Sequence, residues 1–286
     1  MDISSPSSTH RKLARPPVYL WLLSMVGFYL RFGYLYGSGD QDEILPAVFA
    51  LLDPSLFQQD WITQEVLSGI NVRTAFIGLL ASGGVLIPVW LWTAILYVMV
   101  WGMITWGVYA LAMELLNDRI AASLGVLVTL VITCKFTLGL NSVVYNSFLP
   151  GSVAWPLALL SLTLFLQRRF LSAGILLGIA TWFQLLVGGL TAGVLVLTTT
   201  WNNMRSEEDI TLQSVLVFAE SYLVTSLPIT IPVAISQFVG EVSPGEPSSF
   251  FIYSVFRIPW HQLFFSFGVG AQVRFWTLLL LALASV

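Results

Sequence analysis

The fold is decided by residues 74–113, which read TAFIGLLASGGVLIPVWLWTAILYVMVWGMITWGVYALAM. This run carries no charged residue, and it is longer than the roughly 20 apolar residues that one transmembrane helix needs. We therefore predict a segment that dips into a membrane, followed by a long span from about Val85 to Met113. Pro88, near the start of that span, would be tolerated there.

The composition of the whole chain shows the same bias. Of 286 residues, 57% are hydrophobic and 9% are charged, whereas about 25% of a soluble domain is charged. A soluble protein of this size could not cover its surface with so few polar groups, so lipid must surround much of the chain. The composition therefore predicts an all-α, polytopic transmembrane helix bundle. The net charge of -3 argues against nucleic acid as a partner.

The distribution of apolar runs predicts about seven or eight spans, given the length that each span requires. Besides the run that begins at residue 74, the predicted spans cover 17–37, 120–133, 152–166, 170–200 as two short helices that meet near Gln184, 212–236 and 275–286. The last run would rise only about 18 Å as a helix, against about 30 Å for a hydrocarbon core. We therefore expect the chain to be truncated at its C-terminus.

The polar segments between these runs predict the domain organisation. Residues 1–16 are expected to form a disordered cytoplasmic tail and residues 17–286 a transmembrane domain. Within that domain, 38–73 is an acidic outer loop that contains helices, and 237–274 is a second outer loop. The bases that cluster near span ends then fall on the cytoplasmic side, as the positive-inside rule requires. These bases are Arg11, Lys12, Arg15, Arg119, Arg168, Arg169 and Arg205. A bacterial inner or plasma membrane fits this arrangement.

The acidic outer loop begins with three carboxylates in four residues, Asp40, Asp42 and Glu43. Carboxylates this close together raise one another's pKa unless a cation, a base or solvent compensates. One interpretation is therefore a general base or a site for a divalent cation, held by Asp40 and Asp42. The alternative is structural, because Asp40 and Glu43 have the spacing of a capping box. Asp53, before Pro54, and Asp60 are likewise typical of helix N-caps.

Three basic residues are candidates for binding a phosphate at the same face. Arg257 and His261 lie four residues apart in the second outer loop, where a guanidinium fork and an imidazole suit an oxyanion. Arg257 could equally anchor the loop at the lipid headgroups. Lys135, near the outer end of a span, could pair with the acidic loop, bind an anion, or extend to the interface.

A first span that leads into an acidic, helical outer loop resembles the plan of the GT-C glycosyltransferases, which use polyprenyl-phosphate sugars. The resemblance is carried by short motifs that are moderately specific and spread over most of the chain. These motifs are Gly39-Asp40-Gln41-Asp42-Glu43, Leu52-Asp53-Pro54-Ser55-Leu56 with Asp60, the segment 168–181, and Arg257-Ile258-Pro259-Trp260-His261. The last of these is similar to an Arg-x-Pro-His-His stretch of uncharacterised bacterial relatives. In the present chain, Trp260 takes the place of one of the two histidines.

This resemblance implies sugar transfer from a lipid-linked donor at the extracytoplasmic face. Asp40 or Asp42 would be the general base, and Glu43 would help to position the acceptor or a metal ion. Arg257, His261 and Lys135 would stabilise the phosphate leaving group. Two other functions stay open at this point. A transporter or flippase would need polar groups near the middle of the bilayer, and a non-catalytic scaffold would use the acidic residues as caps alone.

Overall fold

The computed structural model describes residues 12–132, 142–204, 210–239 and 269–284, and within these ranges the chain is all-helical, without a strand. Its helices are α1 (Val18–Phe32), α2 (Gln41–Leu52), α3 (Trp61–Leu67), α4 (Thr74–Gly84), α5 (Val89–Leu116), α6 (Arg119–Leu127), α7 (Pro150–Leu166), α8 (Phe170–Phe183), α9 (Leu185–Met204), α10 (Leu212–Val239) and α11 (Val269–Ala284). A π-helical turn, Val128–Ile132, continues α6. The predicted all-α class is confirmed.

Among the residues that the structure describes, two helices are long and apolar enough to cross a membrane. They are α5 and the part of α10 from Leu212 to Ile235. Other apolar helices are shorter, including α1, α7, α8 and α6 taken together with its π-helical turn. Length and composition therefore support membrane insertion, while the number of spans stays a prediction.

Several helix boundaries differ from the predicted ones for local reasons. α1 ends at Phe32 rather than near residue 37, because Gly33 takes a positive φ of 71° and its N–H bonds to the carbonyl of Tyr29. Pro88 precedes α5 instead of lying within it, where its fixed φ and missing N–H are harmless. Residues 269–274, assigned by the sequence to an outer loop, belong to α11.

The predicted break near Gln184 is confirmed, since α8 ends at Phe183 and α9 begins at Leu185. The two helices lie close together because Gly188 has no side chain. A Cβ at that position would approach the backbone nitrogen of Thr181 to 2.8 Å. Small residues allow such close helix contacts in membranes, where lipid offers no hydrophobic drive for helix association.

α8 lies at the centre of the second half of the molecule, between α7 and α10, and α7 also packs against α5. Its side that faces α7 and α10 carries small residues, including the fully buried Ala173 and Ala180. A core of larger apolar side chains joins α1, α2, α4 and α5 in the first half, among them Phe28, Phe76 and Trp101. The bundle thus has a closely packed framework that holds the helix ends in place.

One end of the bundle gathers the connections that follow α1 and precede α7, and we call it the loop end. There the Arg31 guanidinium donates to the carbonyl of Val131 at 2.8 Å, which joins α1 to the π-helical turn. The backbone N–H of Leu35 donates to the carbonyl of Asn146 at 2.7 Å. Segments that lie far apart in the sequence therefore meet at this end.

The opposite end carries residues 12–17 and the connection between α7 and α8, and we call it the tail end. The Trp106 indole donates to the carbonyl of Ala14 at 3.0 Å and fixes the chain before α1. The Gln167 amide donates to the Glu114 carboxylate at 2.9 Å, which ties the end of α7 to the end of α5.

Candidate functional site at the loop end

The acidic segment lies at the start of α2, but it does not form the predicted capping box. Asp40 is the residue before the helix, and its side chain accepts no capping hydrogen bond. The reason is its backbone, which is already helical at φ -57° and ψ -16°, whereas a capping residue needs an extended conformation. The capping-box prediction for Asp40 and Glu43 was wrong, and the Asp40 carboxylate stays exposed at the loop end.

Glu43 instead forms an ion pair with Arg73. Both side chains are about a quarter exposed, at 29% and 26%, so the pair lies at the edge of the protein rather than in its core. Arg73 is the residue before α4, and the ion pair therefore ties α2 to the start of α4. This contact gives Glu43 a positioning role, because its charge is compensated by the guanidinium.

Gln41 fixes the chain that leads into α2. Its side chain is fully buried, and the two halves of its amide have different partners. The oxygen accepts from the N–H of Gly37 at 2.7 Å, and the nitrogen donates to the carbonyl of Phe148 at 2.8 Å. Gly37 and Gly39 both take positive φ angles, 68° and 63°, which allow the tight turn between α1 and α2.

No pattern in the sequence indicates this role of Gln41, which is one polar residue among several acids. Its partner Phe148 lies 107 residues away, and no local pattern predicts such a contact. The consequence for the site is clear: the residue next to Asp40 is held rigidly, so the position of the Asp40 backbone is fixed by a buried network.

Tyr145 lies in the connection that precedes α7. Burial raises the pKa of its hydroxyl, and the negative charge of Asp40 raises that pKa further. This coupling shows that the carboxylate and the phenol are close enough to interact electrostatically. The Tyr97 hydroxyl donates to the backbone carbonyl of Tyr145, which holds the segment against α5.

A cavity of about 210 Å³ opens beside Tyr145, where α7 begins and α8 passes into α9. Its lining includes an aromatic face from Trp155, an amide from Gln184 and a hydroxyl from Thr191. Leu190 and Val187 supply apolar surface. The lining, an aromatic face beside a few polar groups that can fix orientation, is typical of small-molecule sites, while the volume is below their usual range of roughly 300 to 1,000 Å³ and suits one small group.

The remaining acids of the outer loop have local structural roles or lie in solvent. Asp60 caps α3, as predicted, by accepting from the backbone N–H of Thr63 at 3.3 Å. Asp53 does not begin a helix; it accepts from the N–H and the hydroxyl of Ser55 in a turn. These two bonds lower the pKa of Asp53. Asp42 is exposed on the first turn of α2.

The predicted phosphate-binding residues Lys135, Arg257 and His261 lie outside the described residues. The predicted cation site gains no third ligand from the described part of the chain, where no group of three or more His, Cys, Asp or Glu side chains is close enough to hold a metal ion. The groups that the structure brings together at the loop end are therefore Asp40, Gln41, Tyr145 and the cavity beside Tyr145.

No protein-family model matches this chain, and neither a curated protein nor a solved structure is significantly similar to it.

Proposed function

We propose that this protein is a multi-pass membrane glycosyltransferase that moves a sugar from a polyprenyl-phosphate carrier to an acceptor at the extracytoplasmic face. One observation carries the proposal: the exposed Asp40 carboxylate lies within electrostatic range of Tyr145, which lines a cavity at the loop end. In the described part of the chain that carboxylate accepts no hydrogen bond. A general base needs this combination of a fixed backbone, an available carboxylate and an adjoining space for substrate.

The outward faces of α9 and α10 support insertion into lipid. Val194 and Leu197, three residues apart on α9, form an exposed apolar face, and Leu197 is 72% exposed. On α10, Val224 is 71% exposed, with Leu227 and Ile231 on the same face. Contiguous apolar surfaces of this kind mark contact with a membrane or a partner. With the loop end outside, the N-terminus and the tail end are cytoplasmic, which suits the basic residues there.

The proposed reaction uses Asp40 as the base. The acceptor hydroxyl loses its proton to the Asp40 carboxylate as its oxygen attacks the anomeric carbon of the sugar. The bond from that carbon to the phosphate oxygen breaks, and the polyprenyl phosphate leaves with the bonding electrons. Asp42 was an equal candidate in the sequence; the charge coupling between Asp40 and Tyr145 is the reason to prefer Asp40.

The cavity beside Tyr145 suits a sugar ring. Trp155 offers an apolar face, while the Gln184 amide and the Thr191 hydroxyl can bond to sugar hydroxyls. Glu43, paired with Arg73, would hold the start of α2 in position. Arg257, His261 and Lys135 are proposed to stabilise the departing phosphate from outside the described residues.

The test is transfer of labelled sugar from a polyprenyl-phosphate donor by the protein in membranes. Asp40→Asn should lower the rate by about a hundredfold or more, the low end of the effect of a general base. Asp42→Asn separates the two candidate bases and should change the rate by only a few-fold. Glu65→Gln, an exposed change in α3, controls for loss of charge in the same loop.

Two results would contradict the proposal. If Asp42→Asn abolishes transfer while an inserted Asp40→Asn variant retains it, the base is not the carboxylate beside the cavity. If the wild-type protein transfers no sugar from a broad set of donors, the acidic segment is structural, and a transporter or a scaffold becomes the better description.

A further inference from the structure

A second cavity lies at the tail end, the opposite end of the bundle from the candidate site. Its volume is about 530 Å³, and it is formed where residues 12–15 pass over the side of α5 and the start of α8. The described residues that line it are Lys12, Leu13, Arg15, Trp106 and Arg169. Three of these five side chains are basic and none is acidic.

The three bases have no acidic partner among the described residues. Lys12 and Arg15 are exposed, and Arg169 is partly buried as the residue before α8. Glu114, at the end of α5, accepts a hydrogen bond from Gln167 and is not among the described residues that line this cavity. Three like charges around one cavity repel one another, and an anion in the cavity would relieve that repulsion.

The chain that carries two of these bases is held in place rather than left to solvent. The Trp106 indole donates to the carbonyl of Ala14, between Leu13 and Arg15. This bond fixes the backbone, so that Lys12 and Arg15 are presented to the same space as Arg169. Leu13 and the Trp106 ring add apolar surface beside the charges, which suits a ligand that has an anionic group and an apolar part.

We infer that the tail-end cavity binds a phosphate group. Two guanidinium groups favour phosphate because each offers a planar fork of N–H donors that matches its oxygens, and the lysine adds a third charge. The volume is within the range of small-molecule sites, roughly 300 to 1,000 Å³. The phosphate could belong to an anionic lipid headgroup or to a soluble compound, since both present the same oxygens. This inference does not depend on glycosyl transfer.

The binding experiment uses purified protein in an uncharged detergent. Dioctanoyl phosphatidylglycerol, dioctanoyl phosphatidylcholine and inorganic phosphate are titrated separately, and bound molecules are counted by native mass spectrometry, with thermal stability as a second readout. We expect saturable binding of phosphatidylglycerol and little binding of phosphatidylcholine, whose headgroup has no net charge. Saturable binding of inorganic phosphate that displaces phosphatidylglycerol would uphold the phosphate site and assign it to a soluble ligand.

Arginine variants show whether the cavity is the site. Arg15→Gln and Arg169→Gln should each weaken binding by about tenfold or more, the effect of losing a hydrogen bond to a charged group. Arg169→Lys keeps the charge but loses the fork, so an intermediate loss is expected. Arg119→Gln, at the start of α6, is the matched control, because it removes the same charge from an exposed position that does not line the cavity.

The fold of the tail segment is tested separately. Trp106→Phe keeps an aromatic ring but removes the indole N–H that bonds to the Ala14 carbonyl. This variant should weaken phosphate binding although all three bases remain. The inference is overturned if Arg119→Gln weakens binding as much as the cavity variants, which would indicate a diffuse surface charge effect. It is also overturned if the cavity variants bind phosphatidylglycerol as the wild type does, or if phosphatidylcholine binds equally well.

Discussion

The contact between α8 and α10 and the network at the loop end hold the chain together by opposite means. At α8–α10 the backbones themselves approach: a Cβ on Gly174 would lie 2.5 Å from the carbonyl oxygen of Phe218 and 2.9 Å from the backbone nitrogen of Tyr222. At the loop end a buried polar side chain makes the connection, with Gln41 bonded to Gly37 and to Phe148.

The difference shows which region can carry chemistry. The α8–α10 contact leaves no room for a ligand and exposes no reactive group, so side-chain volume alone limits which residues it accepts. The loop end has polar groups and a cavity, so hydrogen bonds and charge limit which residues it accepts. The α8–α10 contact should therefore tolerate the loss of a polar group, and the loop end should tolerate a change of side-chain volume.

The largest effect is expected at the glycine contact. Gly174→Leu places a side chain where the backbone of α10 and the hydroxyl of Ser221 already lie, and we expect a loss of about 3 kcal/mol from overpacking. Thermal unfolding in detergent measures this loss. Gly193→Leu in α9 is the control, because a Cβ there meets nothing within 4 Å. An equal loss in both variants would mean that helix packing is not the cause.

A somewhat smaller effect is expected when the polar connection is removed without a large change of volume. Gln41→Leu leaves the buried Phe148 carbonyl without a partner and removes the part-buried bond to the Gly37 N–H, which should cost about 2 kcal/mol. Amide exchange at Gly37 should also become faster. Gln58→Leu removes an amide whose bond to Pro54 is exposed, and it should have little effect. If the two leucine variants are equally stable, Gln41 does not hold the loop end.

The ion pair at the edge of the loop end should contribute less still. A double-mutant cycle with Glu43→Gln and Arg73→Gln should give a coupling of roughly 0.5 to 1 kcal/mol, since partly exposed pairs gain little over water. Added salt should reduce that coupling. A coupling near zero at low salt would show that the pair does not tie α2 to α4.

Features that depend on neighbouring residues were predictable from the sequence. The all-helical class, the break at Gln184 and the Asp60 cap are confirmed. Each rests on a local rule: apolar composition, a polar residue in an apolar run, or an N-cap residue followed by a helix. The close approach of α8 and α9 also followed from the small residues of this segment, which allow helices to approach.

Features that depend on distant partners were not predictable. The capping-box spacing of Asp40 and Glu43 was real, but Arg73 competes for Glu43 from 30 positions along the chain. Gln41 and Tyr145 acquire their roles only when the chain before α7 folds back on the start of α2. The carboxylates of the candidate site were thus visible in the sequence, whereas the groups that position them were not.

The smallest effect, and the sharpest test of local against long-range polar contacts, is expected at Asp53. Its carboxylate is fully exposed, and in the described part of the chain it bonds within its own turn, to the N–H of Ser55 at 3.0 Å and to the Ser55 hydroxyl at 2.7 Å. These bonds lower its folded-state pKa below 3.8, so their contribution is complete above that value and is lost as the pH falls through the lowered pKa. Asp53→Ala should therefore lower the melting temperature slightly at about pH 7 and less at about pH 3.

Ser55→Ala, which removes one of the two bonds, should also lower the melting temperature, with a weaker pH dependence of the same sign. If Asp53→Ala lowers the melting temperature by the same amount at both pH values, the turn does not depend on the ionised carboxylate.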